Sequence, residues 1–305
     1  MARNLKYQFK NAIDKNFKEG MDKHSLKRSE GLGNGRIYSY ADRKNLIDFS
    51  SNFSNYMRVN FSDVKMARDI KPEHIQKFFN EKSKDCSKAT MEQYRSKFIK
   101  LEKLVNKTYN TNISYSKGYI LPISRENTDK IRNVSMSREE YSRLQNVINN
   151  STSSARLGIE LSARFGLRVA EVTKLQGRDI DLNKGVIRVV DSKGARSRDI
   201  TIQRNDKVFC EALKRNIGDM QRVVPLRENS VNVFLKRGLE KCDLKEKYNS
   251  AKTGIHSIRK MAAQYFYNKC REEGKSMKES LQETSIWLGH GRDRMELMKE
   301  YIENI

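Results

Sequence analysis

The chain has 305 residues, a length typical of two domains of ordinary size. Its 61 Lys and Arg residues outnumber 38 Asp and Glu residues, so the formal net charge is +23 and a polyanionic partner is favoured. The sequence has no apolar run of the roughly 20 residues needed to span a bilayer, and residues 1–28 lack the apolar core of a signal peptide. These features predict no membrane-spanning helix and no signal peptide, and we expect no membrane partner.

The sequence predicts neither a metal site nor another cofactor. There are only four histidines, and the four cysteines lie too far apart for metal-ligand or redox spacing. We therefore expect a cytoplasmic protein whose cysteines are reduced, namely Cys86, Cys210, Cys242 and Cys270.

Residues 1–35 are predicted to be a basic extension, which ends in the chain-breaking segment Gly31-Leu-Gly-Asn-Gly35. Whether this extension contacts a partner by itself or packs on the following domain is left open. Residues 36–112 predict a helical domain. Apolar residues recur at spacings of three and four from Leu46 to Met57, and a second helix begins at Pro72, a residue tolerated in a first helical turn.

A third helix runs from about Thr90, with an apolar stripe on one side and basic residues on the other. A basic helix face is ordinarily just solvated. Together with the overall charge, the face is interpreted as binding DNA, through Lys88, Arg95, Lys97 and Lys100.

Residues 113–134 lack clear periodicity and are predicted to be a linker to a second domain, residues 135–305. That domain opens with Ser137-Arg-Glu-Glu140, a capping box at the start of a helix. Another helix covers about Ala155 to Phe165 and stops at Gly166.

One β element is predicted. Two runs rich in β-forming residues, 185–190 and 198–202, flank the glycine-containing turn 191–195, which indicates a hairpin. Most of the remaining chain, 205–304, reads as helix. The predicted fold is mainly α: a small helical N-terminal domain, then a larger, mostly helical domain with a small antiparallel sheet.

Two candidate functional residues lie in turns. Arg168 directly follows the stop at Gly166, where its fork of N–H groups can bind a phosphate, and Glu171 can hold that guanidinium. A surface Arg–Glu pair is the simpler alternative. Lys193 lies at the tip of the hairpin, where a lysine is ordinarily just exposed but can also give a proton to a leaving alkoxide.

A second group of candidates lies towards the C-terminus. His256 and Arg259 are spaced by three and share one helix face, while Leu288-Gly-His290 places a histidine at a helix-to-turn junction. A satisfied core histidine remains the ordinary alternative for each. Tyr301 ends a short helical pattern, where a tyrosine can simply anchor the helix. Tyr265 and Tyr267 are rival tyrosines close to Arg259.

These motifs follow one another in a characteristic order: Gly-Leu-Arg-x-x-Glu, a lysine in a β-turn, His-x-x-Arg, Leu-Gly-His and a late tyrosine. In that order they resemble the tyrosine recombinases, the phage integrase-like site-specific recombinases, over roughly residues 135–305. Residues 38–110 are similar to the family's helical core-binding domain. Asn4-Leu-Lys-Tyr-Gln-Phe9 and Ala41-Asp-Arg43 resemble integrase-like proteins carried by bacterial mobile elements.

The resemblance implies an enzyme that cuts and rejoins duplex DNA, integrating or excising a mobile element. Arg168 and Arg259 would bind the non-bridging oxygens of the scissile phosphate, and His290 would add a third donor. Glu171 would orient Arg168.

The resemblance also implies the covalent chemistry. Tyr301 would attack phosphorus and form a 3′-phosphotyrosyl bond, His256 would assist proton transfer, and Lys193 would be the acid for the leaving 5′-oxygen. Because a phenol has a pKa of about 10, such an attack needs a positive pocket that favours phenolate and the charge on phosphorus oxygens. This chemistry requires no metal.

The sequence departs from the family pattern at two places. Lys260 follows Arg259, where the family often has a second histidine. Tyr301 lies 11 positions after His290, whereas about nine is common in the family. Few residues follow Tyr301, so we expect little subunit coupling beyond it.

The partners expected from the resemblance are double-stranded DNA and further copies of the chain. A homotetramer on paired sites, a monomer or weak dimer off DNA, accessory DNA-bending proteins and association with the nucleoid are all implied. Two alternatives stay open: a catalytically silent DNA-binding protein of the same fold, and a topoisomerase or hairpin-forming relative.

Overall fold

The structure is a computed structural model that describes residues 4–19, 26, 29, 36–123, 134–192, 196–250 and 254–303. The chain divides into two compact units, residues 1–128 and residues 129–305. Within the described residues, no helix is both long and apolar enough to cross a bilayer.

Helices form the described part of the first unit. Their ends follow local signals: Ser39 and Ser87 cap two of them through their hydroxyl oxygens, and Pro72 occupies the first turn of another. The helices are α1 (Leu5–Lys15), α2 (Tyr40–Asn60), α3 (Pro72–Lys82) and α4 (Lys88–Tyr109).

The core of the first unit is rich in aromatic rings. Phe53 meets Phe98 edge-to-face with ring centroids 4.7 Å apart, and Phe78 meets Phe53 at 5.3 Å. Helix α1 also belongs to this core, because Phe9 is fully buried and its ring lies 6.3 Å from Phe53. Part of the predicted extension is therefore a helix packed on the following helices of the first unit, which is one of the two alternatives for this segment.

The second unit is also mostly helical. Ser137 and Glu140 form the predicted capping box, and Gly166 ends a helix in the left-handed conformation with φ +58°. The helices are α5 (Arg138–Ile148), α6 (Ala155–Phe165), α7 (Val169–Val172), α8 (Lys207–Asn216), α9 (Glu228–Lys241), α10 (Lys245–Ser250), α11 (Ile255–Glu272), α12 (Met277–Trp287) and α13 (Met295–Met298).

The sheet of the second unit is antiparallel, in the order β1 (Ile180–Asp181), β2 (Val186–Ser192), β3 (Arg196–Thr201). The predicted hairpin corresponds to β2 and β3. Strand β1 was not predicted, because two residues are too few to show alternation. The tip of the hairpin, with Lys193, lies outside the described residues.

The mainly α fold with a small antiparallel sheet is thus confirmed. The large core of the second unit lies between the sheet and the helices around α6 and α9. A smaller apolar cluster joins α11 to the last helices and contains Leu288, Met298, Tyr301 and Ile302. That cluster positions the C-terminal tyrosine.

Candidate active site

Arg168 and Glu171 face each other across the start of the short helix α7. Arg168 is the residue before this helix, and its backbone N–H donates to Glu171 Oε2 at 2.9 Å. Its Nη1 donates to Glu171 Oε1 at 2.7 Å. The turn after Gly166 thus places the arginine and the carboxylate in direct contact.

Glu171 is the centre of a cluster of three guanidinium groups. Arg198 donates to both of its carboxylate oxygens, each at 3.0 Å, and Arg259 Nη1 lies 3.8 Å from Oε2. Ser192 Oγ also donates to Oε1. Burial opposes ionisation of Glu171, but hydrogen bonds and charge from Arg198, with Ser192 and the Arg168 backbone, hold the pKa of this carboxyl well below its usual range.

Arg259 is almost completely enclosed, with 1% of its surface exposed. Its Nη2 donates to the carbonyl of Leu288 at 2.6 Å, and its Nη1 donates to the carbonyl of Gly166. Its Nε is buried and has no hydrogen-bond partner among the described residues. Burial, and secondarily the charge of Arg168, lower the pKa of Arg259 to about 10, so this guanidinium stays cationic at neutral pH.

His290 joins the arginine cluster to the C-terminal tyrosine. Its Nε2 lies 3.3 Å from Arg168 Nη2 and 3.2 Å from Tyr301 Oη. Because a guanidinium can only donate, the contact with Arg168 requires an unprotonated Nε2. Burial and then the charges of Arg168 and Arg259 lower the pKa of His290 to about 3, which agrees with a neutral ring.

Tyr301 is buried against this cluster, with 6% of its surface exposed. The guanidinium carbon of Arg259 lies 5.9 Å from the centroid of its ring. His256, in the first turn of α11, meets the same ring edge-on at 5.2 Å. The structure therefore gathers Arg168, Glu171, His256, Arg259, His290 and Tyr301 in one place within the second unit.

The 11 positions from His290 to Tyr301 form a turn and a short helix. Gly291 follows with φ +90°, and α13 then leads to Tyr301, whose backbone N–H donates to the Met298 carbonyl at 2.8 Å. The backbone N–H of Glu303 donates to Gln264 Oε1 at 2.7 Å, which holds the segment after Tyr301 on α11.

The rival tyrosines have other surroundings. Tyr265 is about half exposed, and Arg138 lies over its ring at 4.1 Å. Tyr267 is buried in the apolar cluster that also holds Tyr301. Lys260, which stands beside Arg259, is buried; burial lowers the pKa of its ammonium group, while the charges of Glu300 and Glu303 oppose that shift.

Arg198 and Ser192 contact Glu171 but were missed in the sequence. A signal for Arg198 exists in the alternation of β3: Arg198 and Ile200 lie on the same face, and Ile200 is buried. An arginine on the buried face of a strand requires a partner, since a buried unpaired charge is costly. The sequence does not show which carboxylate supplies it.

The proposed DNA-contacting residues lie on α4 and differ in their surroundings. Lys88 and Arg95 are exposed. Lys97 lies over the Phe49 ring at 5.4 Å, and burial lowers the pKa of its ammonium group. Lys100 donates to Asp42 Oδ2 at 2.6 Å.

The chemistry that this site can support follows from its charges. Three cations surround one carboxylate, so net positive charge remains next to His290 and the Tyr301 ring. Such a site stabilises an anion, and fixed donors that meet developing negative charge are commonly the largest catalytic contribution. The described residues include no group of three or more His, Cys, Asp or Glu that could hold a metal ion.

Comparison with known proteins gives one match to a protein family. Residues 134–272 match the phage integrase family model. This segment contains Arg168, Glu171, Arg198, His256 and Arg259, and ends before His290 and Tyr301. No curated protein matches the chain by sequence.

Solved structures with the same fold cover nearly the whole chain. The Tn1549 transposon integrase in complex with transposon right end DNA has 12% sequence identity and a TM-score of 0.59, over 97% of this chain and 95% of that chain. A lambda integrase tetramer bound to a Holliday junction has 16% identity and a TM-score of 0.55, over 90% and 76%. A lambda integrase dimer bound to a core site has 18% identity and a TM-score of 0.54, over 91% and 95%.

Proposed function

We propose that this chain, whose residues 134–272 match the phage integrase family model, is a tyrosine recombinase that cuts and rejoins duplex DNA through a covalent 3′-phosphotyrosyl intermediate. The observation that carries the proposal is the contact of Tyr301 Oη with His290 Nε2 at 3.2 Å, beside Arg168 and Arg259. A merely anchoring tyrosine has no need of a histidine at its hydroxyl, an arginine beside its ring and a second arginine on that histidine.

In the proposed reaction, Tyr301 Oη attacks the phosphorus of the scissile phosphodiester. The new bond between Tyr301 Oη and phosphorus forms as the bond to the 5′-oxygen breaks, and the phenolic proton passes to His256. Arg168 and Arg259 would bind the non-bridging oxygens, and His290, in the tautomer with the proton on Nε2, would add a third donor once Arg168 turns to the phosphate. Lys193 would protonate the leaving 5′-oxygen.

The covalent bond conserves the energy of the phosphodiester. A 5′-hydroxyl from another strand can therefore attack the phosphotyrosine and rejoin the DNA without a nucleotide cofactor. The substrate that fits this chemistry is an end or a circular form of a mobile element. We propose a tetramer on paired sites, with accessory DNA-bending proteins, as the assembly that performs the exchange.

The test uses the full chain and duplex DNA from the region that flanks its gene, with a nick placed so that the released strand is lost. Wild-type protein is expected to form a protein–DNA adduct that survives denaturation. Tyr301→Phe should abolish the adduct while DNA binding stays within about twofold, because only the nucleophilic oxygen is removed.

Tyr265→Phe and Tyr267→Phe serve as matched controls and should retain the adduct. If the adduct persists in Tyr301→Phe but disappears in Tyr265→Phe or Tyr267→Phe, the nucleophile is one of those two tyrosines. Binding without any adduct would favour a catalytically silent DNA-binding protein. Relaxation of supercoiled DNA that has no specific site would favour a topoisomerase-like enzyme.

A further inference from the structure

Each of the three side-chain nitrogens of Arg198 donates a hydrogen bond to a partner inside the protein. Its Nη1 and Nη2 donate to the two oxygens of Glu171 at 3.0 Å each, and its Nε donates to the carbonyl of Trp287 at 2.8 Å. The side chain is 9% exposed. Arg198 is therefore directed at two groups of the protein itself.

The two partners of Arg198 lie on the two halves of the site. Glu171 holds Arg168 through a 2.7 Å hydrogen bond. Trp287 is the last residue of α12, and the chain that leaves this helix carries the Leu288 carbonyl, which accepts from Arg259, and then His290. One guanidinium thus connects the turn that presents Arg168 with the turn that presents His290.

Gly289 provides an independent sign that this connection is tight. Its φ is +75°, and a Cβ atom built there would lie 2.7 Å from Arg198 Nη1 and 3.1 Å from its Cζ. A distance of 2.7 Å is shorter than a van der Waals contact, so a side chain at this position would displace Arg198. The glycine between Leu288 and His290 therefore makes room for the guanidinium.

Arg198 also affects the charge that reaches the substrate. Without it, Arg168 would be the only guanidinium among the described residues that donates to the Glu171 carboxylate, and the carboxylate would hold that guanidinium more strongly. With Arg198 bound to both oxygens, much of the carboxylate charge is balanced, and the charge of Arg168 remains available to an anion. A lysine cannot replace this function, because its single ammonium group cannot bind both carboxylate oxygens and a carbonyl in this geometry.

We propose that Arg198 is a positioning residue that fixes Arg168 relative to His290 and balances the charge of Glu171. The inference rests on the proposed strand-cleavage function. Arg198 touches no reacting atom in this scheme; its effect reaches the phosphate through Arg168.

The test compares Arg198→Lys with wild type on two nicked duplexes. One has an ordinary scissile phosphodiester, and the other has a methylphosphonate, which lacks the negative charge of one non-bridging oxygen. On the phosphodiester, Arg198→Lys should slow adduct formation by about 10- to 100-fold, the usual effect of losing a supporting contact. On the methylphosphonate, Arg198→Lys should slow adduct formation by less than about threefold, because a neutral phosphonate depends less on the charge of Arg168.

Arg164→Lys is the matched control, since Arg164 also binds two carboxylates, those of Glu160 and Asp206, away from the site. It should leave both rates unchanged. Gly289→Ala is a second variant that keeps the guanidinium but crowds it, and it should show the same dependence on the substrate. Trp287 fluorescence and DNA affinity verify that each variant is folded and bound.

Equal losses on both substrates, or no loss in Arg198→Lys and Gly289→Ala, would overturn the positioning role while leaving the proposed function intact. Wild-type protein that forms no adduct on the phosphodiester would instead overturn the proposed function and this inference with it.

Discussion

Replacement of Gly166 by alanine tests how closely the turn before Arg168 packs against Trp287. Gly166 has φ +58°, and a Cβ atom there would lie 2.5 Å from Cζ3 and 2.7 Å from Cη2 of the Trp287 ring. The ring cannot easily retreat, because it stacks on Phe266 with centroids 4.6 Å apart and an interplanar angle of 7°. Gly166→Ala therefore forces Trp287 or the turn to move.

The expected cost has two parts. The left-handed conformation costs a residue with a Cβ about 1–2 kcal/mol, and overpacking adds about 1–3 kcal/mol. Alanine also makes the unfolded chain less flexible than glycine does, which offsets about 0.4–1 kcal/mol of this cost. The free energy of unfolding of the second unit should thus fall by about 2–4 kcal/mol.

Gly185→Ala is a matched control, because Gly185 has φ +63° and nothing lies within 4 Å of a built Cβ. Gly185→Ala carries the conformational cost without any overlap of the new Cβ atom with a neighbour, so its free energy of unfolding should fall by about 1 kcal/mol. The difference between the two variants isolates the contact with Trp287.

The assay is urea unfolding followed by tryptophan fluorescence. Trp287 is the single tryptophan of the chain, so its emission reports the second unit alone. With a slope of about 2 kcal/mol per molar urea, the midpoint of Gly166→Ala should lie about 0.5–1.5 M below that of Gly185→Ala. Equal midpoints would refute the view that Trp287 presses on Gly166.

Two further predictions concern pH and DNA binding. Because burial and neighbouring arginines lower the pKa of His290 to about 3, the native ring stays neutral at pH 5 while the unfolded ring, with a pKa of about 6.5, takes up a proton. The stability that this group contributes is therefore complete above about pH 6.5 and declines as the pH falls towards about 3. Between pH 7.5 and 5, the free energy of unfolding should fall by about 1 kcal/mol less in His290→Gln than in wild type, once solvent screening of the partly buried ring is allowed for. An equal fall in both proteins would contradict a neutral His290. Lys88→Ala and Arg95→Ala should each reduce the salt slope of DNA binding by about one, as for a lost phosphate contact, whereas unchanged slopes in both would show that this face of α4 does not meet DNA.

Local signals made much of the fold predictable. The helix that begins at Pro72, the capping box at Ser137 and the stop at Gly166 each depend on residues within one turn of the chain. The period of apolar residues likewise depends on near neighbours. Strand β1 and helix α1 were not predicted, since one is two residues long and the other is stabilised by packing on Phe53.

The candidate site was predictable where a motif contains both partners. Glu171 lies three residues after Arg168, so their pairing could be expected from spacing alone. The contact of Arg198 with Glu171 joins residues 27 positions apart, and no local pattern specifies it. Lys100 was interpreted only as a DNA contact, and its pairing with Asp42, 58 positions away, became visible only in the folded unit.

By itself, the sequence indicated a basic, mainly helical chain whose ordered motifs resemble those of the tyrosine recombinases. Composition and motif order are properties of the chain and need no coordinates. The tertiary structure decided which atoms meet, above all that His290 stands between Arg168 and Tyr301 despite the 11 residues that separate it from the tyrosine. Contacts of this kind depend on how packed elements bring distant residues together, and residue spacing along the chain does not contain that information.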